Sequence, residues 1–158
     1  MSRSAPPDRR ISARRGWRLA AAGAGLAIAF HLWGLYRPSA PPQAALFPGA
    51  DKILHAAGFA LPVIMIAVAY GLSCPADGPP RRLRVLVVIG GVFVVHAVIS
   101  ELIQHRFYLY RVGDPLDVLA DWIGIAVGGL MLWRLGYLRS TGPERRAPAP
   151  ANGLSERG

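Results

Sequence analysis

Three short segments of the chain combine acidic, basic and amide side chains at spacings that could build one polar site. They are DKILH at 51–55, ELIQH at 101–105 and DPLDVLAD at 114–121. Carboxylates and imidazoles exchange protons and hold metal ions, and an ammonium group pairs with phosphate. If folding brings the segments together, these residue types allow head-group binding, acid–base catalysis or metal ligation.

The spacing within the segments predicts which side chains share a helix face. Residues three and four apart lie on one face of an α-helix. One such stripe consists of Asp114, Asp117, Asp121, Gly124 and Gly128. Because small residues let helices approach closely, we predict that this stripe faces other helices of the protein. Gly58, which shares a face with Asp51 and His55, is the third glycine predicted to pack against a neighbouring helix.

Four apolar runs carry these segments, and each approaches the roughly 20 residues that a membrane-spanning helix needs. The runs cover residues 19–36, 53–72, 85–103 and 116–133. The chain is 53% hydrophobic yet has a formal charge of +9, with its charges grouped in short stretches between the runs. This layout is typical of a multi-pass membrane protein. We predict an all-α, four-helix transmembrane bundle over residues 17–137, between a disordered basic arm (1–16) and a disordered tail (138–158).

The distribution of basic residues predicts the orientation. Fourteen of the 18 Lys and Arg residues lie in or directly beside the arm, the loop after the second run and the tail. By the positive-inside rule both termini are cytoplasmic, and the three polar segments face the outer side of the cell (inner) membrane. A cleaved signal peptide and a soluble helical bundle fit less well, because three more runs follow the first and none has a continuous polar face. The separated charge runs also disfavour a nucleic-acid-binding surface.

The strings DKILH (51–55) and SELIQHRFYLYRVGDPLDVLADWIGIAVGG (100–129) resemble the VanZ-like family of small bacterial membrane proteins. The family pattern has an Asp-Lys-x-x-His entry to one helix and a Glu-x-x-Gln, Arg, Asp, Asn, Gly series across the last two helices. The matching positions are Asp51, Lys52, His55, Glu101, Gln104, Arg111, Asp117, Gly124 and Gly128. Asp121 departs from the Asn that is usual in the family. The resemblance covers residues 20–136 and implies a link to glycopeptide (teicoplanin) resistance or envelope stress, without defining an activity.

From these residues we expect an outer-face site that binds a lipid-linked or cell-envelope head group. Lys52, Arg106 and Arg111 would bind its phosphate, since a guanidinium can do so with two hydrogen bonds. The predicted ligand-binding set is Asp51, Lys52, His55, Glu101, Gln104, Arg111, Asp114, Asp117 and Asp121. The expected partners are membrane lipids and a lipid-linked envelope precursor or glycopeptide.

Three alternatives stay open. A membrane enzyme acting on such a head group would use His55 or Glu101 as general base, with Arg111 stabilising developing charge and Asp117 as a further catalytic candidate. A metal site would draw on His55, Glu101, Asp117 and Asp121, a permissive set without an HExxH-type pair, so we assign no cofactor. The polar residues could also form an ion-pair network that only fixes helix register.

Overall fold

The computed structural model describes residues 7–37, 47–108 and 113–139, and these ranges form four α-helices. The helices are α1 (Pro7–Tyr36), α2 (Ala50–Ser73), α3 (Pro79–Phe107) and α4 (Pro115–Arg134). All four are long and apolar enough to cross a membrane, α1 over Arg14–Tyr36. The prediction of an all-α transmembrane bundle is confirmed, and the chain is a multi-pass membrane protein.

The helices extend beyond the apolar runs at several ends. Helix α1 begins at Pro7, so it extends into the segment 1–16 that the sequence predicts as a disordered arm. Proline suits a first helical position, and the arginines and alanine that follow are good helix formers, so the helix continues outside the apolar stretch. The predicted disorder of residues 1–6 and 140–158 falls on parts of the chain outside the described residues.

Helix α2 lies at the centre of the packing. It contacts α1, α3 and α4, most extensively α4. The core that these helices share consists of Leu35, Phe59, Val63, Phe93, Ala97 and Ile125. Many large apolar side chains point away from this core, among them Leu26, Val87 and Leu102, which are 72%, 64% and 63% exposed. An apolar surface this extensive is unusual for a soluble monomer and fits hydrocarbon surroundings.

The approach of α2 to α4 is close enough to require glycine. A Cβ atom at Gly124 would lie 2.0 Å from the carbonyl oxygen of Ala56, and one at Gly128 would lie 3.2 Å from that of Ala60. The glycine half of the predicted stripe therefore faces α2, backbone against backbone. Gly58 borders α1 instead, where its Cβ would be 3.9 Å from His31 Nδ1, an ordinary contact distance.

Successive helices run in opposite directions through the bundle. The three polar segments therefore lie at the same end of it. The C-terminal ends of α1 and α3 and the N-terminal ends of α2 and α4 all lie there. We call this region the polar end. Pro115 opens α4, and the carboxylate of Asp114 caps that helix by accepting a hydrogen bond from the Leu116 backbone N–H at 2.9 Å.

Candidate functional site

Lys52 lies among three carboxylates at the polar end. Its Nζ is 2.6 Å from Asp114 Oδ2, 2.5 Å from Asp117 Oδ1 and 3.2 Å from Asp51 Oδ2. We call these four residues the lysine cluster. The hydrogen bond from Lys52 is the main cause that lowers the pKa of the Asp114 carboxyl below its usual value, and the Leu116 N–H lowers it further. The three carboxylates together offer one acceptor to each of the three hydrogen atoms of the Lys52 ammonium group.

A second group lies deeper in the bundle. His55 on α2, Glu101 on α3 and Asp121 on α4 each place a potential ligand atom within 4.8 Å of the other two. His55 Nδ1 is 3.0 Å from Asp121 Oδ1. Asp121 is fully buried, and Glu101 is only 6% exposed. We call these three residues the buried triad.

Each carboxylate of the buried triad has one oxygen that is not satisfied. Glu101 Oε2 accepts a hydrogen bond from the Asp114 backbone N–H at 3.0 Å, and Asp121 Oδ1 faces His55. Within the described part of the chain, the other oxygens, Glu101 Oε1 and Asp121 Oδ2, are buried without a hydrogen-bond partner. A buried anionic oxygen without a donor carries a substantial free-energy cost. The buried triad is therefore incomplete as it stands.

Asp117 connects the two groups. Its Oδ1 accepts from Lys52, while its Oδ2 lies 3.8 Å from His55 Nε2. Both imidazole nitrogens of His55 consequently face carboxylates, Asp121 on one side and Asp117 on the other. Across the lysine cluster and the buried triad, five carboxylates face one lysine and one histidine, so the described part of the polar end is acidic.

The remaining predicted site residues lie outside both groups. Gln104 is buried but donates its Nε2 hydrogen bond to the Leu35 carbonyl at 3.4 Å, so it joins α3 to α1. Arg106 is exposed, with its guanidinium carbon 5.6 Å from the Phe107 ring centre. Arg111, predicted both to bind phosphate and to stabilise charge, lies outside the described residues. Asp117, the fourth candidate metal ligand, belongs to the lysine cluster and not to the buried triad.

Two clefts open beside these groups. The first, of about 270 Å³ between α1 and α2, brings Asp51, His55 and Arg37 together with the apolar side chains of Phe30, Leu54 and Phe59. The second, of about 410 Å³ between α3 and α4, is lined by Glu101, His105 and Asp114 and by the apolar side chains of Val118 and Trp122. The polar end is thus reached from two sides, and each cleft has an apolar wall.

Arg37 lines the first cleft although it lies outside the site predicted from the sequence. Arg37 directly follows α1, at the end of the described range 7–37, and its side chain is exposed. Its guanidinium carbon lies 4.9 Å from the centre of the Trp33 ring. The i, i+4 spacing of Trp33 and Arg37 at the end of an apolar run could have indicated the stacking, since Arg commonly packs over aromatic faces at helical spacing.

A series of hydrogen bonds among histidine and tyrosine residues joins α1 to α3. This pairing is also not predicted from the sequence. His31 Nε2 is 3.3 Å from His96 Nδ1, and His96 Nε2 is 3.1 Å from the Tyr36 hydroxyl. The Tyr108 hydroxyl then donates to the Tyr36 carbonyl oxygen at 2.6 Å. None of these four residues belongs to the three polar segments, and pairing across 60 or more positions leaves no local spacing pattern.

The fold and the site together define a multi-pass membrane protein with an acidic, partly buried polar end. Comparison with models of protein families, with curated proteins and with solved structures gave no match to this chain. The resemblance to the VanZ-like family therefore stays a prediction.

Proposed function

We propose that this protein resides in the bacterial inner membrane and binds the head group of a lipid or lipid-linked envelope precursor at its polar end. The observation that carries the proposal is the cleft between α1 and α2. It places Asp51, His55 and Arg37 at the edge of an apolar wall. A ligand with a polar head and a hydrocarbon tail matches that combination of surfaces, because such sites are mostly apolar with a few polar groups that fix orientation.

In this proposal the tail lies along Phe30, Leu54 and Phe59, which line the cleft. Arg37 binds the phosphate of the head group, since a guanidinium offers two parallel donors to phosphate oxygens. Lys52 does not fill this role, because three carboxylates already share its ammonium group. Asp51 accepts hydrogen bonds from sugar hydroxyl or amino groups of the ligand.

The proposed orientation places both termini in the cytoplasm and the polar end at the outer face. It is supported by the basic residues, 14 of 18 of which lie in segments that the alternating helices assign to the other side. Cytoplasmic loops of membrane proteins carry such an excess. Envelope precursors that have crossed the membrane, and glycopeptides in the medium, would then reach the cleft.

Lipid retention by the purified protein tests the proposal. We expect native mass spectrometry of the detergent-solubilised protein to detect bound anionic lipid after incubation with envelope lipids. Arg37→Ala should weaken this binding about tenfold, the loss of about 1.4 kcal/mol expected for one charge-assisted contact. Arg106→Ala removes an equally exposed guanidinium outside the cleft lining and should bind like the wild type. No retention by the wild type, or equal loss in both variants, would contradict the proposal.

An enzymatic role is the second candidate, and the His55–Asp121 hydrogen bond favours it. An imidazole held by a buried carboxylate is the arrangement that general bases use. An enzyme acting on a lipid head group would convert envelope lipids to a product, and His55→Ala would abolish that conversion. Retention of unchanged lipid by the wild type would instead support binding alone.

The proposed role in the cell follows from the resemblance to the VanZ-like family. Deletion of the gene should then increase sensitivity to teicoplanin or to envelope stress, and the wild-type gene should restore tolerance. If a gene carrying Arg37→Ala restored tolerance to the wild-type level, the role in tolerance would not depend on lipid binding in the cleft.

A further inference from the structure

We propose that the buried triad, His55, Glu101 and Asp121, is a binding site for one divalent transition-metal ion. The ligand types agree with this assignment, since imidazole and carboxylate together suit ions such as Zn²⁺ and Mn²⁺. The three residues come from three different helices, so an ion bound by them would connect α2, α3 and α4. The proposal needs only these three side chains and does not depend on head-group binding.

The distances allow ligation with small side-chain adjustments. The three potential ligand atoms already lie within 4.8 Å of one another. Ligands around a tetrahedral Zn²⁺ with bonds of about 2.0–2.1 Å are separated by about 3.3 Å. Shortening the separations between the ligand atoms from up to 4.8 Å to this value requires only side-chain rotation, because all three side chains already point into one volume.

The unsatisfied oxygens of the carboxylates give independent support. Glu101 Oε1 and Asp121 Oδ2 have no hydrogen-bond partner among the residues that the structure describes, although Glu101 is 6% exposed and Asp121 is fully buried. Two buried acceptors without donors, one on each carboxylate, would both be satisfied by a positive species between or beside them. A divalent ion ligated by both carboxylates supplies one.

Within the described ranges, the charges around the buried triad favour a metal ion over a protein cation. Lys52, the nearest lysine, is already bonded to Asp51, Asp114 and Asp117. Among the residues that the structure describes at the polar end, the five carboxylates of the lysine cluster and the buried triad outnumber the three cations Lys52, Arg37 and Arg106. An ion of charge +2 offsets two of these carboxylates at once.

The lysine cluster provides a carboxylate that can orient the ring of His55, as is usual for metal-bound histidines. A histidine that ligates a metal typically donates its other ring N–H to a carboxylate, which fixes the ring. Here His55 Nδ1 faces Asp121, while Nε2 lies 3.8 Å from Asp117 Oδ2. Lys52 holds Asp117 in turn through its Oδ1. Ligation through Nδ1 thus leaves Nε2 directed at an oriented carboxylate.

An ion in this position would also be accessible. Three protein ligands leave the fourth tetrahedral position for water or for an oxygen of a bound molecule. His55 lines the α1–α2 cleft, and Glu101 lines the α3–α4 cleft. The open position would therefore exchange with solvent, and a phosphate oxygen in the first cleft could occupy it.

A shared proton is the competing explanation, because two neighbouring buried carboxyl groups can also be satisfied by protonation. The two explanations differ in their response to metal ions and to amide substitution. Protonated carboxyl groups tolerate replacement by the neutral amides Gln and Asn, and they give no saturable metal binding.

Metal titration of the full chain in detergent tests the proposal. After chelator treatment, we expect Zn²⁺ or Mn²⁺ to bind at one ion per chain by isothermal titration calorimetry and to raise the unfolding temperature. Glu101→Gln and Asp121→Asn should each weaken binding at least tenfold and abolish the thermal shift. The control Arg106→Ala lies outside the buried triad, the lysine cluster and both cleft linings, and it should bind metal like the wild type.

The unfolding temperature of each metal-free variant shows whether it is folded. Should either amide variant fail to fold, Glu101→Asp retains the charge but moves the ligand by one methylene, and weaker binding by this variant is expected. Absence of stoichiometric binding to the wild type, or equal affinity in folded Gln, Asn and wild-type proteins, would overturn the proposal. Lipid retention plays no part in these measurements, so failure of the head-group proposal would be seen separately.

Discussion

His55 Nδ1 and Asp121 Oδ1, which lie 66 positions apart in the chain, are 3.0 Å apart in the bundle. Each of these residues is next to the close approach of Gly124 on α4 to Ala56 on α2. Ala56 follows His55 directly, and Gly124 lies one helical turn after Asp121 on the same face. The contact between the Gly124 backbone and the Ala56 carbonyl therefore sets how near the imidazole and the carboxylate can come. Packing and site geometry are coupled at this point.

Replacement of Gly124 by Ala should destabilise the protein. The added Cβ would lie 2.0 Å from the Ala56 carbonyl oxygen, and a backbone atom cannot rotate away. We expect a loss of about 1–3 kcal/mol in the free energy of unfolding in detergent, the range for overpacked sites. Gly129→Ala is the matched control, because its Cβ would meet nothing within 4 Å. The control should be neutral or slightly stabilising, since alanine favours helix. Equal stability of both variants would contradict the close packing of α2 on α4.

Removal of the Lys52 ammonium group should also destabilise the bundle. Lys52→Met leaves Asp114 and Asp117 without their cation, close enough to repel each other. Hydrogen bonds to charged groups are worth about 1.5–3 kcal/mol, and we expect a decrease in unfolding free energy within that range. Arg106→Met, which removes an exposed cation near the same end, should change stability by less than about 0.5 kcal/mol. A decrease of similar size in both variants would mean that net charge, and not the lysine cluster, determines the effect.

The stability contributed by Asp114 should depend on pH. In the folded protein Lys52 holds the pKa of this carboxyl below its ordinary value of 3.8. A lowered folded-state pKa gives stability that is present above the unfolded-state pKa and is lost as the pH falls through the folded-state pKa. Asp114→Asn, which retains the ability to cap α4, should therefore unfold at a lower temperature than wild type at pH 7. The two unfolding temperatures should converge at a pH below the lowered folded-state pKa of Asp114. A difference that persists at that pH would exclude the charge as its cause.

Thiol labelling tests the proposed orientation. Cys74 is the single cysteine of the chain, and it lies between α2 and α3, at the end away from the buried triad. In intact cells it should resist a membrane-impermeant maleimide and should react after permeabilisation. A Cys74→Ser, Phe47→Cys variant places the thiol at a half-exposed position before α2 and should be labelled in intact cells. The reverse pattern in the two proteins would invert the topology.

The architecture could be predicted from the sequence because it depends on local patterns. Apolar runs of sufficient length predict spanning helices, and helical spacing placed Asp117, Asp121 and Gly124 on one face. The structure places all three toward other helices. The ends of the helices were less predictable, since the charged residues that follow Pro7 are compatible with both helix and disordered chain.

The pairing inside the site could not be predicted in the same way. Which carboxylate Lys52 contacts depends on the rotation of α2 against α4, and that rotation follows from the Gly124–Ala56 contact. From the sequence, Lys52 is predicted as a phosphate ligand or, alternatively, as a member of an ion-pair network; in the structure three carboxylates surround its ammonium group. The location of Arg37 in the cleft could not be predicted from the sequence, because it depends on how α1 packs against α2.

The preference of α2 for α4 as its main packing partner affects how the protein is made. Synthesis runs from the N-terminus, so α2 reaches the membrane before α4, and α3 emerges between them. During that interval Lys52 and His55 lack the α4 carboxylates that surround them in the finished bundle. The first three helices therefore have to be held near the interface or within the insertion machinery until the last one arrives. Entry of α4 supplies the missing counter-charges and the glycine face in a single step, so a chain truncated before Pro115 should be recognised by the cell as unassembled and degraded.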